Sequence, residues 1–177
     1  FKDSVFRCWI LYTFEGIVLD NYPDSKIIEE LVGQYREKFE SAAMESGLGF
    51  ESRVRELLRL FDGQEVAISN ATIEHPSIVS VEPWIFDEIE VDAFAKGSSN
   101  WLVECKYRQR QTTVKDLQKL LDKKKIVEKK EGIQIDELWV ISKEGFKLNA
   151  VNFAHENGIL ISDIDELNQI AKKLKFR

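Results

Sequence analysis

The stretch from Asp87 to Arg108, DEIEVDAFAKGSSNWLVECKYR, constrains the fold of this chain more than any other. It reads as two short strands, roughly Glu88 to Ala95 and Trp101 to Arg108. The turn-forming run Lys96-Gly97-Ser98-Ser99-Asn100 joins them. Side chains alternate between the faces of a strand. Glu88, Glu90 and Asp92 are therefore expected on one face of the first strand, with Ile89, Val91 and Ala93 on the other. On the second strand Leu102, Glu104 and Lys106 share a face, and Val103, Cys105 and Tyr107 take the opposite one. Pairing of the two strands would bring Asp92, Glu104 and Lys106 to one point.

Such a point suits a hard divalent cation. Mg²⁺ takes oxygen ligands, using one or two carboxylates and keeping several waters. Asp92 and Glu104 would supply the carboxylates, and the backbone carbonyl of Cys105 a third oxygen. A metal there would activate a water and neutralise charge developing on a phosphodiester. Lys106 would orient or deprotonate that water, or stabilise the phosphorus centre. The plain alternative is a hairpin with two solvent-facing salt bridges.

Val91-Asp92 followed by Glu104-Cys105-Lys106 resembles the PD-(D/E)xK nuclease superfamily. The core of that superfamily is an acid ending one strand and an acid-x-Lys on the next. Val91 stands where a proline is usual. The resemblance, nearest to Mrr-type restriction endonucleases and archaeal Holliday-junction resolvases, implies an α/β fold: a restriction-endonuclease-like mixed β-sheet flanked by helices. It implies a DNA endonuclease dependent on Mg²⁺ or Mn²⁺, with RNA the alternative substrate. Members often dimerise, so it also implies a homodimer. The helix before the hairpin often supplies a further acid near the metal. Glu51 is the matching position and Glu56 the fallback. A simple i,i+4 ion pair of Glu51 with Arg55, worth about 0.3–0.5 kcal/mol, is the competing role for Glu51.

The opening FKDSVFRCWILYTFEGIVLD is similar to the start of the C-terminal domain of a group of archaeal-type ATPases. Asp3, Phe6 and Trp9 match its first element, and Gly47-Leu48-Gly49-Phe50-Glu51 the second. That resemblance implies an upstream ATP-binding module. The chain itself holds no Gly-x-x-x-x-Gly-Lys-Ser/Thr phosphate loop. It begins at Phe1, already densely apolar, and is expected to be a piece of a longer protein.

Composition narrows the remaining classes. A chain of 177 residues with 44% hydrophobic and 32% charged residues suits one domain with an appendage. Residues 1–46 are expected to form a helical extension, serving dimerisation or inter-domain contact, and residues 47–177 the nuclease-like domain. Two distant cysteines, Cys8 and Cys105, imply no disulfide framework, so a cytoplasmic, reducing setting is expected. With only His75 and His155 and no cysteine pair, a zinc site of Cys/His type is not expected. No apolar run reaches the length of a membrane span.

The net charge is −6, but it is unevenly spread. Between Lys106 and Lys130 ten basic residues face three acids, directly after the proposed metal site. A polyanion approaching the site would meet this stretch. Arg108, Arg110, Lys115 and Lys119 are the candidate nucleic-acid contacts. A solvated helix face is the bland alternative.

The remaining periodicity predicts helices over Ser4–Phe14, Asp24–Ser46 and Phe50–Phe61, the last stopped by Gly63. A strand starts within Gln64–Ile68. Val79, Val81 and Ile85 suggest another, confined to an edge by Pro76 and Pro83. Thr112 or Thr113 caps a helix ended by Gly132. Asp136–Ser142 reads as a buried strand parallel to the Glu104 strand through that helix. A helix over Phe146–Glu156, a strand at Ile159–Ile161 and a helix capped by Ser162 or Asp163 complete the chain. His75 is a loop residue that would reach substrate only if the loop borders the site.

Two functional classes stay open at this stage. One is the nuclease. The other is a catalytically silent nucleic-acid-binding or regulatory module of an ATPase. Carboxylates within about 5 Å of each other and open to solvent would favour the first. Burial under lysine–glutamate ion pairs, with no cleft, would favour the second.

Overall fold

The computed structural model describes residues 48–68, 71–73 and 76–176. The two N-terminal helices, the helical extension over 1–46 and its dimer role lie outside the described residues, as does His75.

The described chain runs α1 (Leu48–Leu58), β1 (Val66–Ile68), β2 (Ala71–Ile73), β3 (Ile78–Phe86), β4 (Ile89–Gly97), β5 (Trp101–Lys106), α2 (Val114–Glu131), β6 (Glu137–Ser142), α3 (Leu148–Glu156), β7 (Ile159–Asp163) and α4 (Ile164–Lys173). Strands β3 to β7 form one sheet in chain order, while β1 and β2 make a separate hairpin. The β3/β4 and β4/β5 pairs are antiparallel, and β5/β6 and β6/β7 are parallel. The fold is a mixed α/β sheet flanked by helices, as the sequence leads one to expect.

Burial explains why the sheet is parallel where it is. Every residue of Trp101–Cys105 and of Leu138–Ser142 is buried, the pattern of strands covered on both faces. On one face Phe50, Val54, Leu58 and Phe61 pack against Trp101, Val103 and Trp139. On the other, Leu117, Leu120 and Val127 meet Leu102, Leu138 and Val140. Trp101 and Trp139 touch edge to face with centroids 6.3 Å apart, and Phe61 meets Trp101 likewise at 5.7 Å. Such pairs add roughly 0.5–1.5 kcal/mol beyond burial.

A parallel pair needs a crossover, and α2 supplies it. Thr113 rather than Thr112 is its N-cap. The Thr113 N–H and hydroxyl donate to Asp116 Oδ2 at 2.9 and 2.8 Å. Gly132 ends it at φ 69°, a left-handed conformation that glycine adopts without a Cβ penalty. Asp163, not Ser162, caps α4: Glu166 N–H donates to Asp163 Oδ1 at 2.9 Å, and Asp163 N–H returns to Glu166 Oε2 at 3.1 Å.

The structure departs from the sequence expectation in several places. Strict alternation along the first hairpin strand fails. Glu82 pairs with Phe94 and Trp84 with Val91, so Asp92 and Ala93 together stand opposite the single Pro83. This β-bulge flips the pleat: Val91 and Ala93 join opposite faces of the sheet. Proline lacks the N–H that a regular ladder would use there, and β3 is an edge strand, where proline is tolerated. The second hairpin strand stops at Lys106, so Tyr107 and Arg108 lie beyond it.

Gly97 belongs to β4, not to the turn. A Cβ there would sit 1.9 Å from the Ser77 carbonyl oxygen, so only glycine permits the Ile78–Gly97 pairing. Of the three apolar residues expected to mark β3, Val81 is buried. Val79 and Ile85 are 85% and 66% exposed, because the strand is irregular on either side of Val81. Helix α1 ends at Leu58, and Gly63, at φ 66°, instead turns the chain into β1, its N–H donating to the Pro76 carbonyl.

Leu58 is fully buried between α1 and the sheet, whereas Leu148 is 78% exposed. Leu58→Ala is therefore expected to lower the unfolding free energy by about 2–5 kcal/mol, and Leu148→Ala to change it by less than about 0.5 kcal/mol. Urea denaturation followed by circular dichroism measures both. Equal effects would mean that the α1 layer is not packed as described.

Candidate active site

The site grows out of the bulge. The β4/β5 ladder runs Ala95–Trp101, Phe94–Leu102 and Ala93–Val103 and then stops. Past Val103 the strands part, while β5 keeps its parallel pairing with β6 through Lys106. The next N–H on the β4 side, that of Cys105, is taken by a side chain: it donates to Asp92 Oδ2 at 2.6 Å. Asp92 is thereby held beside the residue between Glu104 and Lys106. Its own carbonyl oxygen accepts from Arg55 Nη1 of α1 at 2.7 Å. Arg55 thus pins the bulge from the neighbouring helix.

Glu104 is 7% exposed. Lys106, two residues on and on the same face, donates to Glu104 Oε1. Lys123 of α2 donates to both oxygens, at 2.9 and 2.8 Å. Of the two observations expected to separate the functional classes, the structure therefore contains the lysine–glutamate pairs.

Glu51 sits in the first turn of α1, half-buried. Its carboxylate is 3.9 Å from Arg55 Nη1, the ion pair expected from the sequence. Burial pushes its pKa above the ordinary carboxylate value. Arg55 opposes that rise, and the charges of Glu90 and Glu104 add to it. Glu51 thus belongs to the same electrostatic neighbourhood, while Glu56, the fallback, is exposed on the helix. Among the described residues, no three His, Cys, Asp or Glu side chains gather closely enough to hold a metal by themselves.

Asp92 carries the largest consequence. Burial, and then the negative charge of Glu104, push its carboxyl from the ordinary 3.8 up to about 7. The Cys105 N–H and Lys106 act the other way, and Glu51 reinforces the rise. The Cys105 thiol is pushed up by burial and by the surrounding carboxylates, so it stays a protonated, inert group. Its backbone is what the site uses.

The residues assigned to nucleic acid separate into two kinds. Arg110, Lys115 and Lys119 are exposed. Arg108 is engaged: its Nη2 donates to Asp116 Oδ2 at 2.5 Å. Burial works against the Asp116 charge, but Arg108 and the Thr113 donors outweigh it and hold the carboxyl well below the usual range. Arg108 is thus tied to the start of α2 through Nη2.

Two residues of the cluster were not singled out from sequence as part of a site. Arg55 was read only as the partner of Glu51. Lys123 carried a usable signal: it lies three residues after Leu120 and four before Val127, at the edge of the buried stripe of α2. A lysine there faces the sheet, and the sheet offers it Glu104.

The donor set suits a hard cation. Asp92 and Glu104 are oxygen donors whose mutual repulsion a divalent charge would relieve, and Mg²⁺ commonly uses only one or two carboxylates. The cationic partners on Glu104 in this structure are ammonium groups.

No family model matches the chain, and no curated protein matches it. A crystal structure of a protein of unknown function, AF1548, is similar at 17% identity with a TM-score of 0.43, covering 64% of this chain. The match spans 55% of that protein's length.

The raised Asp92 carboxyl predicts a sign for the pH dependence in the absence of metal. The protonated form favours the fold, so its contribution is complete below pH 3.8 and lost as pH passes about 7. Asp92→Asn, which keeps an oxygen to accept from Cys105, is expected to flatten the decline in thermal midpoint over that window. It should also make the protein more stable than wild type at pH 8 in chelator. An unchanged profile would place the Asp92 carboxyl in a solvated setting.

Proposed function

We propose that this chain is a divalent-metal-dependent nuclease of the PD-(D/E)xK kind, hydrolysing phosphodiester bonds in DNA. The observation that carries the reading is the bond from Cys105 N–H to Asp92 Oδ2, at 2.6 Å. It supports the convergence of Asp92 with Glu104 and Lys106 across a strand pair that has just parted.

In this reading Asp92 and Glu104 hold Mg²⁺ or Mn²⁺, with the Cys105 carbonyl as a further oxygen and Glu51 nearby. The cation supplies charge neutralisation and an activated water. The protein's own residues do the rest. Cys105 N–H and Arg55 fix the orientation of Asp92 through its side chain and its carbonyl. Lys106 stands on the Glu104 face, where its ammonium would orient the attacking water or stabilise charge on the phosphoryl oxygens. Exposed Arg110, Lys115 and Lys119 would meet flanking phosphates. The sequence likeness to ATPase-associated domains supports placement in a longer ATPase-type protein, the nuclease likeness supports a homodimer, and the two distant cysteines support a reducing, cytoplasmic setting.

One observation favours a second reading, a catalytically silent nucleic-acid-binding or regulatory module. Glu104 is nearly buried and its oxygens are occupied by Lys106 and Lys123. Such a carboxylate is already neutralised without a metal.

Cleavage of linear, single-stranded and four-way-junction DNA, with an RNA duplex beside them, separates the two. Each substrate is incubated with Mg²⁺, Mn²⁺ or chelator. The nuclease reading expects cutting that needs metal and falls at least about 100-fold in a folded Lys106→Ala variant, the scale of positioned acid–base catalysis. Retained binding of DNA without cutting under any condition would favour the silent module. Cutting that survives in Lys106→Ala would remove the role assigned to that lysine.

A further inference from the structure

We propose that Lys123 is a placeholder for the divalent cation: its ammonium holds Glu104 in the cation-free protein and must leave when a cation binds the carboxylates. The inference rests on the metal-site reading above and adds to it a residue from outside the Asp92, Glu104 and Lys106 set.

Lys123 reaches Glu104 from a different element. Its Nζ lies 2.9 Å from Oε1 and 2.8 Å from Oε2, so one ammonium spans both oxygens. That is the edge of the carboxylate a hard cation would bind. The pairing has a physical cause. Glu104 is 7% exposed, and an ionised carboxylate at such burial is costly unless paired and hydrogen-bonded. Lys106 meets Oε1 only, which leaves Oε2 to Lys123.

Departure of Lys123 is feasible without moving the helix. Leu120 and Val127, one turn to either side, are buried against the sheet and anchor α2. The Lys123 side chain keeps 21% of its surface exposed, and its ammonium sits on a flexible four-carbon stem. It can therefore turn into water, where an ammonium is well solvated. Asp92 and Glu51 lie in the same electrostatic neighbourhood and both suffer from the Glu104 charge. A divalent cation would satisfy Glu104 and Asp92 together, which a single ammonium on Glu104 does not.

The affinity for cation is then set by competition with Lys123. Mn²⁺ titration by calorimetry, with free Mn²⁺ counted by electron paramagnetic resonance, tests this on wild type and Lys123→Met. Lys123→Gln, which keeps a donor and drops the charge, is measured beside it with the same expectation. Lys125→Met serves as a control for charge loss on the same helix, since Lys125 is 74% exposed and pairs with Asp122. Glu104→Gln tests whether the bound Mn²⁺ is at this site.

Both Lys123 variants are expected to bind Mn²⁺ about tenfold more tightly than wild type, the scale of one charge-assisted hydrogen bond removed from the competition. They should also gain more in thermal midpoint from Mn²⁺ than wild type does. Lys125→Met should follow wild type. Folded Lys123 variants that bind Mn²⁺ with wild-type or weaker affinity would overturn the placeholder role and leave the metal site standing. Absence of Mn²⁺ binding in wild type and in both Lys123 variants, or binding that survives Glu104→Gln, would instead remove the metal-site reading and the placeholder with it.

Discussion

The arrangement depends on one hydrogen bond, from the Cys105 N–H to the Asp92 carboxylate. It exists because the β4/β5 ladder ends early, and the ladder ends early beside the β4 bulge. In a regular antiparallel pair, the backbone of β4 would continue alongside β5 and absorb the donors there. Here two residues of β4 face Pro83, the pleat slips by one, and Asp92 comes to β5 with its side chain. Arg55 then takes the Asp92 carbonyl, so both polar groups turned out of the ladder find partners. The bulge opposite the edge-strand proline thus lies where Asp92 reaches the residue between Glu104 and Lys106.

The charges gathered at this point explain why the cluster is poised rather than merely stable. Burial, and then the charge of Glu104, raise the cost of ionising Glu51 and Asp92. Arg55 lies close to Glu51 but spends its short bond on a backbone oxygen. Lys106 and Lys123 both go to Glu104. The cations are therefore shared unequally: Glu104 is well compensated and Asp92 is not. Exposed ion pairs elsewhere, such as Lys125 with Asp122, contribute little to stability. Replacing a buried ion pair by well-packed hydrocarbon of similar volume is often neutral or stabilising, so the pairing of Glu104 adds little to the stability of the fold.

Much of this was legible in the sequence, and the gaps have identifiable causes. Continuous apolar runs marked β6 and β7 because strands buried on both faces need no alternation. Capping residues marked the starts of α2 and α4 because the local geometry needs only a few neighbouring side chains. The bulge was not legible, although Pro83, which it faces, was: a proline restricts a strand to an edge without saying which partner residue will slip. Val79, Val81 and Ile85 did mark a strand, and Pro83 its place at an edge, but alternation presumes an unbroken pleat and so could not show that only Val81 of the three is buried. Gly97 read as a turn residue, and only the approach of the Ser77 carbonyl shows why it lies in a strand. A lysine on a basic helix ordinarily faces water, and the partner of Lys123 lies 19 residues earlier, on the strand that precedes the helix.

That crossover connects fold to chemistry. The antiparallel half of the sheet, β3 to β5, supplies the acids and the opening between strands. The parallel half cannot form without a helix over the sheet, and α2 is that helix. Its apolar stripe of Leu117, Leu120 and Val127 must lie on Leu102 and Leu138. Once it does, the residue between Leu120 and Val127 on the stripe's edge has only the polar end of β5 to meet. Arg108 and Asp116 fix where α2 begins, and so how far along β5 that edge reaches. The packing that closes the core therefore also decides which cation lies over Glu104, and the hydrophobic and electrostatic halves of the site are set by the same helix.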